Sequence, residues 1–279
     1  MDRPRRDLTL VALQASPGVA VAVLGVTLTY FGYLWGLASP NPAELSGPVI
    51  FFAAVLYVLF SLPLRGALQS FYQAVRTKLG AGIFVGYLVV HLVLYGFLLE
   101  EVLALTGWSA ALAVPSSGLF VYTDVFYPPS LTSAVFNLSY NPSIIFNLLP
   151  VFSAALSAYA IALALVIAIL VVANVSETKK VSRICSAARK ARSYVLVPVL
   201  GIILGASCCL SVAGLVSLYT LPLAVAAEVS SNATVYYLTY FFLPAFAIVI
   251  LYLNLRSTSK LGAGLLELSV MSADGKGSA

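Results

Sequence analysis

The sequence predicts an all-helical integral membrane protein, a bundle of six transmembrane helices with both termini in the cytoplasm. Three observations carry that prediction. Of the 279 residues, 61% are hydrophobic and 9% are charged, and the mean hydropathy is +1.01; soluble domains carry roughly 25% charged residues. Six apolar runs approach the ~20 residues that a helix needs to cross about 30 Å of hydrocarbon. With the amino terminus inside, all 15 Lys and Arg then fall on one side, and the outer connections hold only the acids Glu44, Glu100, Glu101, Asp124 and Glu228. Cationic flanks are retained in the cytoplasm during insertion, so this segregation sets the orientation.

The expected organisation is a basic interfacial segment over 1–16, a transmembrane domain over 17–254 and a cytoplasmic tail over 255–279. The first span, 17–38, is about twice as long as the apolar core of a signal peptide, and Tyr30, Tyr33 and Trp35 lie near its outer end as interfacial anchors. Two prolines and a glycine in SPNPAELSG make a tight outer turn. Span two covers 48–64, and an inner connection with Arg65, Arg76 and Lys78 leads to span three, 81–99.

The region from Val102 to Ser143 is the least regular. Its first part, 102–118, is apolar but interrupted by Gly107, Pro115 and Gly118. A crossing there would put the following basic segment outside, so a partly re-entrant or interfacial segment is expected. The remainder is rich in Phe and Tyr and broken by Pro128, Pro129 and Pro142, an outer loop long enough to suggest a role.

Span four is expected at 149–172, span five at 194–218 and span six at 235–253. Between spans four and five, VSETKKVSRICSAARKARS holds Lys179, Lys180, Arg183, Arg189, Lys190 and Arg192 against the single acid Glu177. It reads as the cytoplasmic loop that orients the whole chain. Val181, Ile184, Cys185 and Ala188 follow helical spacing within it, which also suits an amphipathic inner helix docking an ATPase, anionic lipid or nucleic acid. Direct nucleic-acid binding is not expected, because topology alone accounts for the charge. The outer connection 220–230 is apolar and dips toward the interface, and the tail ends in a polar stretch expected to be disordered.

Three groups of residues could carry chemistry. His91, the only histidine, falls near the bilayer centre of span three, with Tyr87 and Tyr95 four residues to either side on one helix face. Proton relay, ligand contact or gating would suit such a group. A neutral imidazole that merely bonds a neighbouring span is the plainer reading, since no predicted span holds a carboxylate to pair with it.

In span five, Cys208 and Cys209 could hold a soft metal ion as thiolates. The pair is similar, over two residues, to the Cys-Cys dipeptide in a membrane helix of mercuric ion transporters. Gly201, Gly205, Cys209 and Ala213 recur every four residues, however, which reads as a close-packing seam or a contact with a second copy. The third group is the basic loop itself.

Several activities lack their parts. Glu100-Glu101 resembles the paired glutamates of membrane CAAX-type proteases, but Leu105 stands where that pattern needs arginine and no histidine follows. There is no Walker loop, bis-histidine haem ligation is impossible with one histidine, and no predicted span carries the acid of a proton- or sodium-driven carrier. Neither catalysis nor a cofactor is expected.

The basic amino-terminal elbow, six spans, cytoplasmic connection after span two and apolar outer element between spans five and six are similar in outline to the permease subunits of exporter-type ABC systems. That resemblance implies a translocation subunit in the cell membrane, working with a separate cytoplasmic ATPase. Two alternatives stay open: a non-catalytic structural or assembly subunit of a membrane complex, with other membrane subunits as partners, and soft-metal or thiol handling through Cys208 and Cys209.

Overall fold

A computed structural model of the chain describes residues 15–30, 42–91, 117–122, 138–139, 143–148, 152–184 and 241–274. Six helices and one small sheet make up these residues, which are mostly helical. Helix α1 spans Ala15–Tyr30 and α2 spans Pro42–Ser61. They run antiparallel: a Cβ on Gly18 would meet Val58, and one on Gly25 would lie 2.8 Å from the Gly47 carbonyl oxygen and 2.7 Å from the Phe51 nitrogen. The two backbones approach so closely because neither glycine carries a side chain. Thr27 and Thr29 each return their hydroxyl to a carbonyl four residues back, at 2.8 and 2.9 Å, so neither presents an unbonded group to apolar surroundings.

Pro63, which lacks an amide hydrogen, stops α2. After Leu62–Leu64 the chain resumes as α3, Arg65–Val75, bent 91° from the Ser46–Ser61 part of α2. The connection expected here is thus an amphipathic helix whose Ala67 and Ala74 are buried. Thr77 then serves two helices at once. Its hydroxyl donates to the Ala74 carbonyl at 2.7 Å and accepts from the Gly80 amide at 3.1 Å, capping the start of α4, Lys78–Val89.

The expectation of an all-helical fold fails over part of 117–157. Strands β1 (Gly118–Tyr122), β2 (Ser143–Leu148) and β3 (Phe152–Ser157) form an antiparallel sheet in that order. Leu119 faces Phe146 and Val121 faces Ile144 across β1 and β2, and all four are exposed. Alternation and β-branched or aromatic side chains favour strand here.

The helix expected from residue 149 therefore begins only at α5, Ala158–Ile184, where Ser157 accepts from the Ala160 amide at 3.2 Å as the cap. At its other end α5 continues through the first ten residues of the basic segment. Likewise α6, Leu243–Asp274, runs far past the expected end of span six at 253, so most of the tail expected over 255–279 is helix.

Helix α5 is the axis of the molecule, and α2, α3, α4 and α6 all pack on it. Val166, Ile167, Leu170 and Val171 form the core with Leu64, Ala67, Tyr87, Leu251 and Leu255. Toward its start Tyr159 packs between Phe52 and Phe241, with ring centroids 5.5 and 5.3 Å away. Among the described residues α5 is the one helix long and apolar enough over Ala158–Val181 to cross a membrane; the bent α2–α3 pair makes a second if taken as one span, and α1 and α4 are shorter apolar helices. Span five and the segment 220–230 lie outside the described residues, as do residues 102–116 of the segment expected over 102–118.

Two substitutions test this packing. Gly47→Leu pushes atoms into the α1 backbone and is expected to cost about 1–3 kcal/mol; Thr77→Ala removes the shared cap and is expected to cost about 0.5–2 kcal/mol. Both appear as lowered melting temperatures of the purified chain, and an unchanged value for Gly47→Leu would refute the close α1–α2 contact.

Candidate functional site

At three places buried polar side chains among the described residues join elements or pair with one another. At the end of α4 and just beyond it, the Tyr87 hydroxyl and His91 Nδ1 lie 3.1 Å apart, with both residues almost fully buried and their rings 5.4 Å apart. Their four-residue spacing on a helix brings them together, as the sequence suggested. Which group donates follows from the imidazole tautomer: a neutral ring protonated on Nε2 accepts the phenol proton at Nδ1. Tyr95, the third member of that face, lies outside the described residues.

The second place is the contact between α5 and α6. Asn174 is fully buried. Its amide donates to the Leu170 carbonyl of its own helix at 2.8 Å and to the Leu251 carbonyl of α6 at 3.0 Å, while its oxygen accepts from the Asn254 amide at 2.7 Å. Further along, a Cβ on Gly262 would sit 3.3 Å from Val181. Later residues of one helix thus meet later residues of the other, so α5 and α6 run parallel. Between those two contacts stand Thr178 and Thr258, each one turn beyond an asparagine, and each with a buried hydroxyl oxygen that has no hydrogen-bond partner among the described residues.

The third place ties α3 to α5. Glu177, 9% exposed, accepts from the Ser70 hydroxyl at 2.9 Å and from the Lys180 ammonium at 2.7 Å. Lys180 also reaches Gln73 at 3.4 Å. Since the lysine is half exposed, the ion pair itself adds little to stability; its effect is to keep the carboxylate paired where α3 crosses α5.

Sequence reasoning found the His91 pair and missed the other two groups. Glu177 stands out in the sequence only as the lone acid of a basic segment, and Asn174 lies just beyond the expected end of span four. A signal was present: Asn174-Val-Ser-Glu-Thr178 and Asn254-Leu-Arg-Ser-Thr258 share an Asn-x-x-x-Thr spacing that puts both polar side chains on one face. Of the basic residues, Lys179 and Lys180 are exposed on α5 and Arg183 lies within it. Arg189, Lys190 and Arg192 lie outside the described residues, as do Cys208, Cys209 and the remaining positions of the proposed seam, Gly201, Gly205 and Ala213. Among the described residues no cluster of His, Cys, Asp or Glu could hold a metal ion.

No protein-family model, curated protein or solved structure matches the chain.

The asparagine pair has a measurable strength. Asn174→Leu and Asn254→Leu, made singly and together, are expected to show a coupling of about 0.6–1.7 kcal/mol in a double-mutant cycle; zero coupling would mean that the bond does not hold the helices. Glu177→Ala should release α3, read as faster proteolytic cleavage around Arg76 to Lys78 under native conditions.

Proposed function

We propose that the chain is the membrane-embedded subunit of a translocation system in the cell membrane, worked by a separate cytoplasmic ATPase. The observation that carries this reading is the polar linkage running from α3 through Glu177 to α5, and through Asn174 to α6. Force applied to α3, or to the charged helical ends of α5 and α6, would reach both long helices together, as a subunit driven from outside the bilayer requires.

The six-span topology belongs to the same proposal. Parallel neighbours α5 and α6 need a connection that returns to the starting end, and this supports one crossing between them, the expected span five. Antiparallel α1 and α2 agree with the first outer turn. Both termini would then lie in the cytoplasm, beside Lys179, Lys180 and Arg256.

The second reading is a structural or assembly subunit. It is favoured by the exposed apolar face of Leu119, Val121, Ile144 and Phe146, which a neighbouring membrane subunit would cover. Soft-metal handling rests on Cys208 and Cys209 alone, and unchanged metal tolerance on replacing both by serine would remove it.

Extraction of the native complex in mild detergent, followed by mass spectrometry of its components, separates the first two readings. A stoichiometric ATPase lost or destabilised by Glu177→Ala is the expected result. Membrane subunits alone, or no partner at all, would overturn the translocation reading.

A further inference from the structure

Where α2 ends and α3 turns away, the two helices enclose the inside of a right-angled bend. This corner is a cleft of about 610 Å³, walled by Tyr57 and Ser61 of α2 and by Arg65, Gln69, Tyr72 and Arg76 along α3. Arg65, Gln69 and Tyr72 of α3 and its C-terminal cap Arg76, itself helical in backbone, follow a 4-3-4 spacing and form one stripe, opposite the buried Ala67 and Ala74. Both arginines are exposed, and neither has an acidic partner among the described residues, where the one ion pair is Lys180 with Glu177. Arg65 opens its helix, a position where a cation opposes the helix dipole, so its charge does not serve the helix.

We propose that this corner binds anionic phospholipid. The inference rests on the reading of α2 as embedded in a bilayer: the apolar stretch of α2 ends at Ser61, which brings the cleft to the depth of the headgroups. Guanidinium groups bond phosphate oxygens in a bidentate fork, and tyrosines favour the same depth, with ring in the apolar boundary and hydroxyl in water. Arg65 and Arg76 stand about 16 Å apart along the helix axis, so they hold successive phosphates rather than a single one. The concave side of the bend faces along α2, and a folded protein would reach it only by entering between α3 and the bilayer. On the membrane reading, lipid would occupy that space.

The test uses the full chain, placed in nanodiscs of equal phosphatidylglycerol and phosphatidylcholine, then released and examined by native mass spectrometry for retained lipid. An enrichment of phosphatidylglycerol of about fivefold or more is expected, from the attraction of basic side chains to anionic lipid. R65Q/R76Q should abolish it, while K260Q, which removes an exposed cation on α6, should leave it intact. Circular dichroism and gel filtration check that both variants fold. Equal retention of the two lipids, or enrichment that survives R65Q/R76Q, would overturn the proposal. Loss of the bound lipid to excess free glycerol 3-phosphate would overturn it too, in favour of a soluble phosphate ligand. Release of the chain from membranes by alkaline carbonate would instead overturn the membrane reading beneath it, a result distinct from the others.

Discussion

Asn174 has two amide hydrogens and one carbonyl oxygen, and all three are engaged: one hydrogen by its own helix, the other and the oxygen by α6. In the most apolar stretch of the molecule an unbonded amide costs several kcal/mol by order of magnitude. A slip of α6 by one residue would leave that amide facing side chains instead of the Leu251 carbonyl and Asn254. Apolar packing along α5 is strong but permissive, because Val, Ile, Leu and Ala surfaces slide past one another at little cost. The asparagine removes that freedom, and the positions of Thr178 against Thr258 and of Val181 against Gly262 follow from it.

The bundle is correspondingly divided. Toward the start of α5, contacts are made by aromatic rings, with Tyr159 between Phe52 and Phe241, and these tolerate small changes of angle. Toward its end they are directional: Asn174 with Asn254, then Glu177 with Ser70 and Lys180. Helix α3 takes its place from the second set and from Phe71, whose ring meets Phe84 of α4 at 5.2 Å. Its 91° turn needs both a proline that stops α2 and a glutamate on another helix to receive it.

Local signals in the sequence were legible where they were also sufficient. The four-residue spacing of Tyr87 and His91 announced their meeting, and the long apolar run ending near Val172 announced α5, whereas α2 ends at Ser61, before Pro63 and short of the span expected to 64. Features that depend on a distant partner were not legible. The strands at 143–148 and 152–157 are apolar enough to read as loop and span, and only pairing with each other and with 118–122 makes them a sheet. Helical spacing was visible in the basic segment, but not that it continues α5 without a break, and the extra turns of α6 were hidden because their polar residues suggest loop, whereas Asn174, Glu177 and Thr258 are polar residues facing a helix neighbour. The shared Asn-x-x-x-Thr pattern lay in plain view, yet helical spacing cannot say which faces meet.

The parallel pairing of α5 and α6 also has a consequence for synthesis. Asn174 and its partner Asn254 are separated by 80 residues of chain, which a ribosome adds in about 4–16 s. For most of that interval α5 is complete, with the asparagine that should join it to α6 still waiting for α6 to exist. Any protein or lipid that offers Asn174 a provisional partner in those seconds would act as a chaperone for this fold, and any that held it too firmly would be a trap.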